Sequence, residues 1–141
     1  MKNFEVHDDY LVRTAIDLDT DTTYYSVNDV IDVLFDNECL LMYRNYWAVW
    51  KHRLKKKPEL SWLAECEQAK MMSKDEKRHP TDVVTLDGAL NILVYICYVS
   101  DSSSYMRSVF NHHVDIDILS FKHTMIENIV RCSGTPRSDY M

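Results

Sequence analysis

Four cysteines, six histidines and 22 acidic side chains supply the groups that nucleophilic, metal or acid–base chemistry would use. Cys39, Cys66, Cys97 and Cys132 are widely separated, with no C-x-x-C pair and no Cys-His pair at zinc-ligand spacing. A cysteine nucleophile needs a base and an electropositive setting. Cys66 instead lies between Glu65 and Glu67, which favour the neutral thiol, and Cys97 lies inside the apolar run 89–99. His112, His113, Asp115, Asp117 and His123 form a tempting metal cluster. Neighbouring residues on a helix point about 100° apart, however, so two adjacent histidines do not converge on one ion. Asp8 and Asp9, then Asp17, Asp19 and Asp21, faintly echo a calcium loop, but its glycine and closing glutamate are missing from the pattern. A solvated hairpin turn is expected there. With only 2 glycines, a G-x-G-x-x-G phosphate loop is excluded by count. The expectation is a non-enzymatic protein with no catalytic residue, metal or cofactor.

The basic residues are more informative. The net charge is −6, yet residues 44–78 hold 10 of the 16 Lys and Arg against 5 acidic side chains. Residues 1–43 hold 2 basic and 10 acidic ones. Arg44, Lys51, Arg53, Lys55, Lys56 and Lys57 are interleaved with Tyr46, Trp47 and Trp50. Lys70, Lys74, Lys77 and Arg78 form a second set. Cations neutralise phosphates and release counterions, and exposed aromatic rings stack on bases. These ten cations are the candidate nucleic-acid-binding residues. The aromatic rings are expected in the core instead, because Tyr43, Trp47, Trp50 and Leu54 fall on one helical stripe. The acidic pI of about 5.4 implies modest, salt-sensitive affinity.

These residues need elements to position them. Leu11 to Ile16 and Thr22 to Tyr25 are β-prone around the turn-rich Asp17–Asp21 and predict a hairpin. Ser26-Val27-Asn28-Asp29 has the form of a helix start, and Val27, Val30, Ile31 and Leu34 continue it to about Phe35. A second helix is predicted from about Leu41 to Lys57, where Pro58 stops it. Residues 60–67 read either way. Glu67–Met72 and Arg78–Val84 predict a second hairpin around Ser73–Lys77. Thr85 caps a helix from Leu86 to about Tyr98. A short helix over 105–111 and a last one over 115–131, with Ile116, Leu119, Ile126 and Val130 as its apolar stripe, complete the chain.

At 141 residues the chain is one domain in size. The expected fold class is α+β: a small antiparallel sheet packed with several helices, over residues 1–132, followed by a flexible tail over 133–141. The apolar run 89–99 is too short for a membrane span, which needs about 20 residues. The start, Met1-Lys2-Asn3-Phe4-Glu5, lacks the apolar stretch of a signal peptide, so an intracellular protein with reduced thiols is expected.

The blocks also occur in a familiar order. Tyr25-Ser26-Val27-Asn28-Asp29-Val30-Ile31 is followed by Tyr46-Trp47, then by Trp50-Lys51-His52-Arg53-Leu54-Lys55. Glu59-Leu60, Cys66-Glu67-Gln68-Ala69-Lys70-Met71, Asp75-Glu76-Lys77, Thr81-Asp82-Val83 and Asp87-Gly88 complete the series. In this order and spacing the chain resembles the BRO-N domain family over about residues 11–110. That family is found in baculovirus repeated-ORF proteins, phage antirepressor-like proteins and bacterial DNA-damage-inducible protein D, and the last branch is the most similar. The resemblance implies a small α+β domain of phage, viral or mobile-element type that binds DNA or controls DNA transactions. Three departures stand out. Glu76 occupies the place of the family's turn glycine. Tyr98 to Ser104 lacks the proline and lysine of the I-P-S-like stretch. Only about thirty residues follow where the family has a fused effector region, so a stand-alone domain is expected.

Two functions compete on these grounds. One is a DNA-binding regulator using the ten cations. The other is an inhibitor of a host DNA-processing or defence protein, presenting the acidic N-terminal region to a basic groove. A homodimer through a sheet edge is a further option.

Overall fold

The structure, a computed structural model, describes residues 3–34, 46–73, 75–101, 103 and 116–137. Strand β2 (Thr14–Asp17) and strand β3 (Thr22–Ser26) pair antiparallel, with Asp17 opposite Thr22. The acidic turn between them is local chemistry rather than an ion site. Asp17 Oδ1 accepts the Asp19 N–H at 3.0 Å, and the Asp21 N–H donates to Asp17 O at 2.7 Å. This is how a short acidic side chain substitutes for main chain in a tight turn. Strand β1 (Phe4–His7), which the sequence did not announce, pairs with the free side of β2. Strands β4 (Glu67–Met72) and β5 (Arg78–Val84) form the second hairpin within the bounds expected from the sequence. Strand β5 joins β3 through Tyr25 opposite Val84, giving a five-stranded antiparallel sheet in the order β1-β2-β3-β5-β4.

The sheet curls until its outer strands β1 and β4 approach each other. Ala15, Ala69, Met71 and Val83 are buried inside the curl, with Phe4, Val6 and Tyr24 packed on them. Helices cover the other face: α1 (Val27–Leu34), α2 (Tyr46–Lys55), α3 (Leu86–Val94) and α4 (Ile118–Ser133). A short 3-10 helix, Ser61–Ala64, occupies the stretch that read ambiguously. The main core lies between these helices and the sheet, around Val30, Ile31, Trp50, Leu54, Leu93 and Phe121. The fold is α+β, as the sequence predicts.

Helix starts follow side-chain chemistry. Thr85 Oγ1 accepts the Gly88 N–H at 3.2 Å, and Asp117 Oδ1 accepts the Ser120 N–H at 2.7 Å. Helix α3 continues through one wider π turn, Tyr95–Val99, so the helical path reaches past Tyr98 as expected. The capping box at Ser26 is only half made. Ser26 Oγ accepts the Asp29 N–H at 3.3 Å, but the Asp29 carboxylate does not return to the Ser26 N–H. Instead Asp29 Oδ2 accepts from the Arg13 N–H and Nε at 2.8 Å each, and Oδ1 accepts from Arg13 Nη2 at 3.1 Å. The Ser26 N–H donates to Arg13 O. A buried guanidinium outcompetes the local cap because its fork matches the carboxylate.

The same Arg13 helps close the curl. Its Nη1 donates to Met72 O at 3.1 Å, while Asp8 Oδ2 accepts the Met72 N–H at 2.9 Å. Both main-chain polar groups of Met72 on β4 are therefore held by side chains from the opposite end of the sheet. Arg78 Nη1 adds an ion pair to Asp8 at 3.2 Å and a long hydrogen bond to Lys70 O at 3.4 Å.

One expectation is corrected here. The buried stripe of α4 is Phe121, Met125, Ile129 and Cys132, whereas Leu119 is 79% exposed and Val130 50% exposed. Both sets recur at helical spacing, and only packing against α1 and α3 selects between them. The described tail residues, up to Arg137, also make specific contacts. Tyr10 and Pro136 form a β-bridge, the Arg137 N–H donates to Asp9 O at 2.9 Å, and Arg137 Nε donates to Tyr10 O at 3.0 Å. Residues 138–141, the predicted helix over 105–111, and Cys39, Tyr43, His112, His113 and Asp115 lie outside the described residues. Among the described residues no helix is long and apolar enough to cross a membrane.

Candidate nucleic-acid interface

Helix α2 carries most of the candidate cations, and its burial pattern decides which face solvent. Trp47, Trp50 and Leu54 are buried at spacings of three and four, which places them on one side of the helix. The tryptophans are therefore core residues and not stacking platforms, as their spacing predicts. Trp50 packs edge-on against Tyr95, with ring centroids 6.0 Å apart.

Lys51 lies on the flank of that stripe and is already engaged. Its Nζ sits 2.6 Å from Asp82 Oδ2, and Trp47 Nε1 donates to the same oxygen at 3.0 Å. Gln68 Nε2 donates to Asp82 Oδ1 at 3.0 Å. Burial alone would push the Asp82 carboxyl up, but the hydrogen bonds from Lys51, Gln68 and Trp47 outweigh it and hold the group below its ordinary value. Asp82 thus fixes α2 to the β4–β5 hairpin. In the sequence Asp82 stands only within the Thr81-Asp82-Val83 block, and its one local signal is a charge inside an otherwise β-prone run.

The remaining cations divide by partner. Lys57 Nζ donates to Tyr95 Oη at 3.2 Å, and that hydrogen bond raises its pKa. Arg53 lies over the Trp50 ring at 5.1 Å while staying exposed to solvent. Arg78 pairs with Asp8. Lys55, Lys56, Lys70 and Lys77 are exposed and make no ion pair among the described residues. Arg44 and Lys74 lie outside the described residues.

The sheet register brings members of both basic sets to one side. Gln68 is opposite Asp82, Lys70 opposite Pro80, and Met72 opposite Arg78. Residues two apart on a strand share a face, so Gln68, Lys70, Arg78 and Asp82 all point the way Lys51 approaches. Lys55, one turn beyond Lys51 on α2, and Lys70 on β4 therefore flank the Asp82 junction on one side, whereas Arg53, two residues from Lys51, projects from the opposite flank of the helix.

The other candidate chemistries gain no geometry. Burial, together with the Asp82 charge, pushes the Cys66 thiol up to about 12. Cys97 and Cys132 are buried. His123 pairs with Glu127 on its own helix at 3.0 Å, and Asp117 is a helix cap. Among the described residues no group of three or more His, Cys, Asp or Glu is placed to hold a metal ion. Much of the N-terminal acidity is also engaged within the fold. Asp8 and Asp29 hold arginines, and Asp17 and Asp32 are buried. Comparison with known protein families, with curated proteins and with solved structures finds no match for this chain.

Proposed function

We propose that the protein is a non-enzymatic DNA-binding regulator of phage or mobile-element type that works inside the cell. The observation that supports this best is the set of exposed cations, with Lys55 and Lys70 beside the α2–Asp82–hairpin junction and Arg53, Lys56 and Lys77 exposed on or next to the same elements. Such a cationic surface matches the phosphate backbone and offers no base-reading geometry, so affinity is modest, falls with salt and depends little on sequence. The resemblance to BRO-N domains points the same way. The competing reading, a host-protein inhibitor working through the N-terminal acids, has less support because Asp8, Asp17, Asp29 and Asp32 are taken up by the fold.

The test is a titration of fluorescent single- and double-stranded DNA at about 50 and 200 mM salt, between which phosphate contacts weaken steeply. The variant to run beside it is Lys55→Glu/Lys56→Glu/Lys70→Glu/Lys77→Glu. Lys51 is left intact because it holds the fold. Micromolar binding that weakens with salt and disappears in the variant supports the proposal. Absence of binding at low salt overturns it.

A further inference from the structure

A groove of about 370 Å³ opens beside the sheet, on the side where the 3-10 helix and the start of α3 meet strands β4 and β5. Its walls mix polar and apolar groups, with Tyr24, Val84 and Ile92 among the apolar ones, and Trp62 stands in it 54% exposed. An indole half in water at the edge of a cavity is a large uncovered apolar surface. Glu65 and Glu67, both exposed, line the same groove, with Cys66 between them. The Cys66 thiol stays protonated at neutral pH, so its place in the lining is uncharged. The amino end of α3 adds little positive field, because Thr85 caps the Gly88 N–H and Asp87 occupies the first turn. Lys51, whose charge reaches Cys66, is neutralised by Asp82. Lys55, whose charge also reaches Cys66, is exposed to solvent and screened.

A partly apolar trough with an aromatic face and two carboxylates suits an occupant with an apolar stem and a cationic head. Arginine has that form: its methylenes pack on apolar walls, its guanidinium stacks on indole and its fork engages carboxylates. We propose that this groove is a docking site for an arginine side chain in a basic segment of a partner protein. The site shares no residue with the candidate DNA-contacting cations, although Lys55 lies near it. It would give the protein two surfaces of opposite charge, one for phosphate and one for a basic protein.

The test uses the three tryptophans. Trp47 and Trp50 are buried, so the solvent-sensitive part of the intrinsic fluorescence comes from Trp62. The full chain is titrated with a short acetylated, amidated peptide carrying a central arginine, and with the same peptide carrying citrulline, which keeps the shape and removes the charge. A single-stranded oligonucleotide serves as the third ligand. The expected result is a saturable change with the arginine peptide and binding about tenfold weaker for citrulline. Glu65→Gln/Glu67→Gln should weaken the arginine peptide by about tenfold. Trp62→Ala should weaken it similarly when read by calorimetry, with both variants melting like the parent. Equal binding of the two peptides, no saturable change, or full affinity in the glutamine variant would overturn the proposal. So would an oligonucleotide that displaces the peptide from Trp62, since the groove would then be a base site.

Discussion

Arg13 and Asp29 form a buried, two-pronged ion pair that joins the start of β2 to the first turn of α1, with Nε and Nη2 at 2.8 and 3.1 Å from the two carboxylate oxygens. The pair is supported on every side. Ser26 Oγ and Met72 O accept from the guanidinium, and Arg137 Nη2 approaches Asp29 Oδ2 at 3.8 Å. A buried pair is costly to halve, because the remaining partner is left as an uncompensated charge. Arg13→Met and Asp29→Ala should each lose about 3–5 kcal/mol of unfolding free energy in a urea titration. Arg13→Lys should recover little of that, since an ammonium cannot span both oxygens. A loss under about 1 kcal/mol would show that the pair is dispensable.

The Asp82 junction makes a pH prediction. Its folded-state pKa lies below the unfolded value, so its stabilisation is fully present above the unfolded pKa of about 4 and is lost as pH falls through the folded value. The wild-type denaturation midpoint should therefore drop on acidification below about pH 4 more steeply than that of Asp82→Asn. Identical acid limbs would refute this. Lys51→Met should cost about 1–3 kcal/mol at neutral pH, as expected for a hydrogen bond to a charged group. DNA binding lost in a Lys51 variant would for that reason say nothing about a phosphate contact.

Glu76 closes the β4–β5 turn with φ at 64°, and its N–H donates to Ser73 O at 3.0 Å. A side chain in the left-handed region costs about 1–2 kcal/mol relative to glycine. Glu76→Gly should raise unfolding free energy by up to about 1 kcal/mol, the gain being reduced by glycine's greater freedom in the unfolded chain. A lower midpoint in guanidinium would count against this account of the turn.

The two apolar stripes of α4 can be told apart by paired substitutions. Phe121→Ala should cost about 3–5 kcal/mol, and Leu119→Ser should change stability by under about 0.5 kcal/mol. Equal losses would mean that Leu119 is covered in solution.

Local chemistry made much of the fold legible in the sequence. Alternation around Ser73–Lys77 delimited the second hairpin to the residue, Thr85 marked the start of α3, and the Trp47–Trp50–Leu54 stripe identified the buried side of α2. The failures involve groups brought together from distant parts of the chain. Arg13 and Asp29 are 16 residues apart, and Met72 and Asp8 are 64 apart. No periodicity records such partners, so Arg13 passed unnoticed and Asp29 was read only as a helix cap. Strand β1 is four residues long and only partly buried, too short for alternation to mark it. The ten cations were visible as a cluster, but whether each faced solvent or a carboxylate depended on Asp82 and Asp8, whose roles only the tertiary structure discloses.

The side-chain clamp on the Met72 main chain bears on how the protein behaves in concentrated solution. An outer strand with open main-chain groups invites a foreign strand, which is a common route to aggregation. On β4 the Met72 N–H is occupied by Asp8, Met72 O by Arg13 and Lys70 O by Arg78. Polar side chains thus stand where another chain would have to begin pairing. Substitutions at Asp8 or Arg78 should therefore reveal themselves as turbidity on storage before they appear as a lower melting temperature, because they uncover backbone without emptying the core.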